Sequence, residues 1–277
     1  MPDTILIPDI HGRSFWRDAL PAIKKGTPVI FLGDYHDPYP HEGISPATSL
    51  ENFNEIVYYA RRCDNITLLL GNHDFTYFGD TSYCDCRKDM YNFNMLKQLF
   101  KSCPFKLCSF VYTEDKPFII SHAGITKSWL QTLFNRYLTC GGLSFDLFNK
   151  LYSSNETNTL SIKDICIPIN NLLEFLDKPE KRPIVNLLKE CSKYRGGDSE
   201  SGSIIWADYS EFAEHPENAL VFDQIVGHTM QLRVNYQDNS VKYEFCDAIK
   251  AHNTNVTCID TACCYVLKRT GELIPLK

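Results

Sequence analysis

Short apolar runs recur along the chain, and each stops abruptly at polar residues able to bind a metal. Thr4-Ile5-Leu6-Ile7-Pro8 stops at Asp9, and Val29-Ile30-Phe31-Leu32 stops at Gly33-Asp34. Ile66-Thr67-Leu68-Leu69-Leu70 stops at Gly71-Asn72-His73. Phe118-Ile119-Ile120 stops at Ser121-His122, and Gln224-Ile225-Val226 at Gly227-His228. Short, β-rich and nearly continuous runs of this kind predict strands buried on both faces.

Amphipathic stretches lie between them. Arg13 to Lys25 carries Phe15, Trp16, Ala19, Leu20 and Ile23 at helical spacing. Ser45 to Arg62 and Asp89 to Phe100 read the same way. Strands alternating with helices predict an α/β protein, whose function sits beyond the carboxyl ends of the strands. Residues 1–277 read as a single domain, with 126–205 as a mostly helical insert or cap containing the polar run Ser153–Asn158. After His228 the pattern turns to short strands at Leu232–Tyr236, Val241–Phe245, Val256–Asp260 and Cys264–Lys268. These are expected to form a β-meander that finishes a second sheet.

A net charge of −6 and no Lys/Arg run give no electrostatic footprint for nucleic acid. The apolar runs are far shorter than a bilayer span, so no membrane partner is expected. Met1-Pro2-Asp3-Thr4 carries an acid where a secretory leader would be basic, which predicts a cytoplasmic protein. The twelve cysteines contain no C-x-x-C pair. Reduced thiols acting as small apolar residues are the plain reading. A zinc site on Cys84 and Cys86 lacks a matching second pair.

The strand ends spell D-x-H (Asp9, His11), G-D-x-x-D (Gly33, Asp34, Asp37), G-N-H-D (Gly71 to Asp74), S-H-A-G (Ser121 to Gly124) and G-H-T (Gly227 to Thr229). Each alone is weak, since a lone buried histidine is more often a hydrogen-bonded core residue. Five in order, each at the end of an apolar strand, argue for convergence, because polar groups are rare there. Carboxylate, amide and imidazole donors suit Mn, Fe, Zn or Ni.

In this order the motifs resemble the calcineurin-like metallophosphoesterase superfamily, over most of the chain. The resemblance implies a four-layer β-sandwich flanked by helices and a metal-dependent phosphoesterase. It implies two divalent metal ions, manganese first among the candidates. Asp9, His11 and Asp34 resemble the ligands of the first ion, with Asp34 bridging. Asn72, His122 and His228 resemble the remaining ligands of the second. A pair of ions so held would lower the pKa of a shared water and neutralise phosphate oxygens. His73, next to a ligand, suits a general acid, and Asp37 suits the group that orients it.

The chain also departs from the family's patterns. Pro38 stands where protein phosphatases of the superfamily place a phosphate-gripping Arg, and Asp74 stands for their Glu. Met230 replaces the last His of G-H-x-H. In that respect the chain looks closer to the branch of serine/threonine phosphatases and symmetrical diadenosine tetraphosphate hydrolases. Ser203 to Asp208 resembles the W-x-[RD] segment of that branch. Arg195, flanked by Gly196 and Gly197, is a candidate phosphate grip, with a plain flexible loop as the other reading. Arg13, at an expected helix start, reads as surface. The substrate implied is a phosphate monoester on a phosphoprotein or a small metabolite. The alternatives are a dinucleoside polyphosphate or nucleotide, whose base Tyr35, Tyr39, Phe75, Tyr77 or Phe78 would stack, with core or rim packing as the plainer reading of these rings, and a non-catalytic scaffold of the same fold.

Overall fold

The computed structural model describes residues 2–78, 86–140, 161–237 and 240–276. Cys84 and the polar run Ser153–Asn158 lie outside the described residues. The apolar runs form the strands expected of them: β1 (Thr4–Ile7), β2 (Val29–Phe31), β3 (Ile66–Leu69), β6 (Pro117–Ser121) and β7 (Asp223–Val226). Shorter strands complete the set: β4 (Phe105–Lys106), β5 (Cys108–Tyr112), β10 (Ile249–Lys250), β11 (Val256–Cys258), β12 (Tyr265–Leu267) and β13 (Leu273–Pro275).

One sheet has the order β13-β12-β1-β2-β3-β4 and the other the order β10-β11-β7-β6-β5. β1, β2, β3 and β4 run parallel, as do β6, β7 and β11. The strands that carry the polar motifs therefore deliver them to one edge of each sheet.

Apolar side chains along the strands fill three buried clusters. Leu6, Ile30, Leu32 and Leu69 meet Phe118, Ile120, Ile225, Ile259 and Tyr265 in one buried cluster between the sheets. Their neighbours Ile5, Ile7, Val29 and Phe31 turn the other way and pack with Trp16, Phe53 and Phe100. Behind the second sheet, Val226, Val256 and Cys258 meet Ala207 and Phe212. Burying one such side chain is worth about 1.5–3 kcal/mol, against roughly 1 kcal/mol for the whole spread of strand propensity. Two-faced burial, more than intrinsic preference, therefore holds these short strands.

The helices follow their caps. α2 (Pro46–Ala60) starts where Ser45 Oγ accepts the Thr48 N–H, with Pro46 at the first position. α4 (Phe93–Lys101) begins later than its apolar pattern suggested. The expected helix from Arg13 to Lys25 is instead a 3₁₀ turn, Phe15–Ala19, followed by the short α1 (Leu20–Lys24). Pro21 has no N–H to continue a longer α-helix from the N-terminal side. α3 (Asn72–Phe78), read from sequence only as a strand end, follows β3 directly. After Thr126 come α5 (Lys127–Thr139) and the helix Ile162–Asn171. Among the described residues, no helix is long and apolar enough to cross a membrane.

The C-terminal meander is corrected. β8 (Leu232–Gln237) and β9 (Ser240–Phe245) form a separate two-stranded sheet. β10 and β11 join the second sheet, whereas β12 pairs antiparallel with β1 in the first. Strand character is local, but the sheet a strand joins depends on which edge remains open.

Candidate metal centre and active site

Asp9 lies just beyond β1, Asp34 just beyond β2, and Asn72 opens α3 after β3. His122 follows β6 and His228 lies just beyond β7 in the other sheet. The two edges are stitched together. His122 Nδ1 lies 3.0 Å from the Leu32 carbonyl oxygen, and the His228 N–H donates to both Asp9 carboxylate oxygens at 3.1 Å.

Two groups of ligand-capable atoms result. Asp9, Asp34, His122 and His228 offer atoms within 4.8 Å of one another, and so do His11, Asp34 and His73. Asp34 belongs to both. Its Oδ2 lies 3.4 Å from His11 Nε2 and 3.6 Å from His122 Nε2. His122 Nε2 is also 3.0 Å from Asn72 Oδ1 and 3.0 Å from His228 Nδ1. The resemblance places Asp9 with His11 and Asp34; Asp9 Oδ1 also lies 3.8 Å from His122 Nδ1. His73 Nδ1 lies 3.4 Å from Asp37 Oδ2, so that pair comes together as expected. The rings of His11 and His73 meet edge to face at 5.1 Å.

The backbone is strained where the site is built. His11, Asp34, Asp37 and His228 all take positive φ, at 45°, 52°, 58° and 64°. Non-glycine residues seldom do so, and such strain persists only where the surroundings impose it. The glycines of the motifs have a spatial reason as well. A Cβ on Gly71 would overlap Asp34 Oδ1, and one on Gly227 would overlap Asp9 Oδ1.

All these side chains are buried. Burial holds the carboxyls of Asp9 and Asp34 well above the ordinary carboxylate range. It also holds His11 and His228 well below the usual imidazole value and pushes His122 down to about 3. Closely spaced buried acids thus favour their neutral forms unless positive charge is placed among them. His228 Nε2 is buried without a hydrogen-bond partner. Mixed oxygen and imidazole donors, with one ring nitrogen unpaired, fit a divalent ion of the Mn, Fe, Zn or Ni type.

Sequence reasoning missed three neighbours of the site. Asp74 accepts N–H bonds from Asp34 at 2.7 Å, Gly71 at 2.8 Å and Tyr35 at 3.0 Å. Its adjacency to Asn72-His73 was the available signal. Asp260 is buried with Oδ1 unpartnered, and burial pushes its pKa up to about 6. Arg87 donates from Nη2 to the Asp37 carbonyl at 3.1 Å, its guanidinium 3.9 Å from the Tyr39 ring centroid. Neither Asp260 nor Arg87 had a local signal.

Arg195 reaches the site's border. Its Nε pairs with Asp208 Oδ2 at 2.7 Å, and Nη2 donates to the His228 carbonyl at 2.7 Å and to Thr229 Oγ1 at 3.0 Å. Arg13, expected at the surface, is buried. It donates to the Asp9 carbonyl at 3.3 Å and pairs with Glu42 at 2.8 Å, which offsets the cost of burying its charge. Of the five rings considered for base stacking, Tyr35, Phe75 and Tyr77 are core residues and Phe78 packs against that core. Tyr39, its ring centroid 4.8 Å from that of His11, is the one that touches a metal-capable ring. Among the described residues the cysteines form no disulfide.

Residues 3–232 match the model of the calcineurin-like phosphoesterase family. The chain belongs to that family. As a calcineurin-like phosphoesterase it is a hydrolase of phosphate esters, and both metal-capable groups lie within the matched span. Among solved structures, the family member is similar to a metallophosphoesterase from Sphaerobacter thermophilus. Identity is 12%, coverage is 99% of this chain and 86% of that one, and the TM-score is 0.43. A putative 5'-nucleotidase from Staphylococcus aureus is 14% identical at a TM-score of 0.37. The match takes in 99% of this chain but only 54% of that one. A phosphopantetheinyl hydrolase from Mycobacterium tuberculosis is 12% identical over 88% of each chain, at a TM-score of 0.29. Among curated proteins, none matches it.

Proposed function

We propose that this calcineurin-like phosphoesterase hydrolyses phosphate monoesters, on a phosphoprotein or a small metabolite, with two divalent cations, manganese foremost. The observation that carries the reading is Asp34, whose carboxylate belongs to both metal-capable groups and so suits a bridge. Two cations held there would supply Lewis acidity, lowering the pKa of water and neutralising phosphoryl oxygens.

The chain's own residues do the rest. Asp9, His11 and Asp34 would hold one cation, with Asp34 shared, and Asn72, His122 and His228 would hold the other. Asp37 Oδ2, 3.4 Å from His73 Nδ1, favours a protonated imidazole, whose Nε2 would carry the proton given to the departing alkoxide. Arg195 orients a phosphate oxygen beside His228 while Asp208 fixes its fork. Residues 1–277 act as one catalytic domain, with 126–205 as its helical insert.

A substrate panel with added Mn²⁺ tests this: a phosphopeptide, nitrophenyl phosphate, bis-nitrophenyl phosphate and diadenosine tetraphosphate. Fastest turnover is expected on the monoesters. A clear preference for the diester or the dinucleotide would overturn the substrate class, and no metal-dependent turnover on any would overturn the activity.

A further inference from the structure

The Asn72 side chain can present either end of its carboxamide to the metal-capable cluster. Only the oxygen has lone pairs for a cation, whereas the NH₂ end carries partial positive charge. The terminal torsion of Asn is broad and roughly two-fold, so by itself it selects neither end. Asn72 is buried, so its Nδ2 must find an acceptor within the protein. That acceptor is sulfur: Asn72 Nδ2 donates to Cys86 Sγ at 3.3 Å, while Asn72 Oδ1 stands 3.0 Å from His122 Nε2. The thiol also donates back to the Asn72 carbonyl at 3.8 Å.

Residues 87–89 hold Cys86 in place. The Asp89 N–H donates to Asp37 Oδ1 at 3.2 Å and to Tyr77 Oη at 2.8 Å. Asp89 Oδ2 meets His36 Nε2 at 3.1 Å. With Arg87 on the Asp37 carbonyl, the segment is laced to the loop after β2 and to α3.

We infer that Cys86 is a positioning residue whose sulfur keeps the Asn72 carboxamide oxygen turned toward the metal. This rests on the metal-centre reading above. Partners one step behind a metal ligand orient it, and losing one typically weakens metal binding about 10–100-fold.

The test is Co²⁺ titration of the full chain, read by affinity and by the cobalt absorption spectrum, with Cys86→Ala and Cys86→Ser in the natural and Asn72→Asp backgrounds. Cys86→Ala should weaken Co²⁺ binding about 10–100-fold and shift the spectrum. Cys86→Ser, which keeps an acceptor, should lose less. With Asp at 72, both ends of the side chain are oxygen. Cys86→Ala should then cost no more than about twofold, a coupling that independent sites would not show. Equal losses in the two backgrounds, or none in either, would overturn the inference. If the unmutated protein binds no Co²⁺, the metal-centre reading falls and this inference with it. If it binds Co²⁺ indifferently to residue 86, only the inference falls. Thermal unfolding of the metal-free variants separates misfolding from a lost ligand, and the serine variant serves if the alanine variant does not fold.

Discussion

Asp74 Oδ2 accepts the backbone N–H of Asp34 at 2.7 Å, fixing the strained turn that aims the Asp34 carboxylate into the site. Asp74 belongs to neither metal-capable group. Together with its bonds from Gly71 and Tyr35, it ties the ends of β2 and β3 to each other. Asp74→Asn places an NH₂ against at least one of these donors. The expected cost is about 1–3 kcal/mol of stability, plus weaker metal binding. Denaturant unfolding and metal analysis check it; unchanged values in both would refute the role.

Asp260 makes a prediction about pH. Burial raises its folded-state pKa from 3.8 to about 6, although Arg13 and Arg195 pull the other way. Between these values the unfolded chain has released the proton and the folded chain retains it. Stability due to this group therefore falls as pH rises from about 4 to 6, and is flat above. Asn at 260 does not titrate. In chelator, the stability of Asp260→Asn relative to the unmutated protein should increase over that window and then level off. A constant difference, or one that shrinks, would count against a raised pKa.

Loss of a ligand should be visible without any substrate. Asp34→Asn removes charge from both groups, and His228→Ala removes the ring whose Nε2 is buried and unpaired. Both variants should bind less Mn²⁺ and lose activity. Asp34→Asn should affect both cations, and His228→Ala chiefly one. Mass spectrometry of metal content after equilibration decides it, and full metal content in either variant would defeat the ligand assignment.

His73 should behave differently from the ligands. His73→Ala should leave most metal binding in place while cutting turnover about 10²–10⁴-fold on esters whose leaving group needs a proton. Nitrophenyl phosphate, with its stable phenolate, should suffer far less. Asp37→Asn should show the same contrast, weaker, because it acts through the His73 ring 3.4 Å away. An equal loss on both ester classes would remove His73 from the acid role.

The order of strands and the residues at their ends were legible from sequence alone. Apolar continuity and the adjoining polar motif are neighbours along the chain, so Leu6 and Asp9, or Ile225 and His228, announce each other. The start of α2 was local in the same way. Tertiary structure alone decided the rest. Closure of the two sheets brought Asp9 and Asp34 to His122 and His228. It buried Arg13 against Asp9 and Glu42, brought Cys86 to Asn72, and sent β12 to the first sheet rather than the second. Each of these depends on which distant strands pair and which edge is left open. A stretch of chain does not carry that information by itself; it arises when two sheets close over a shared core and bring their ends within ångströms of each other.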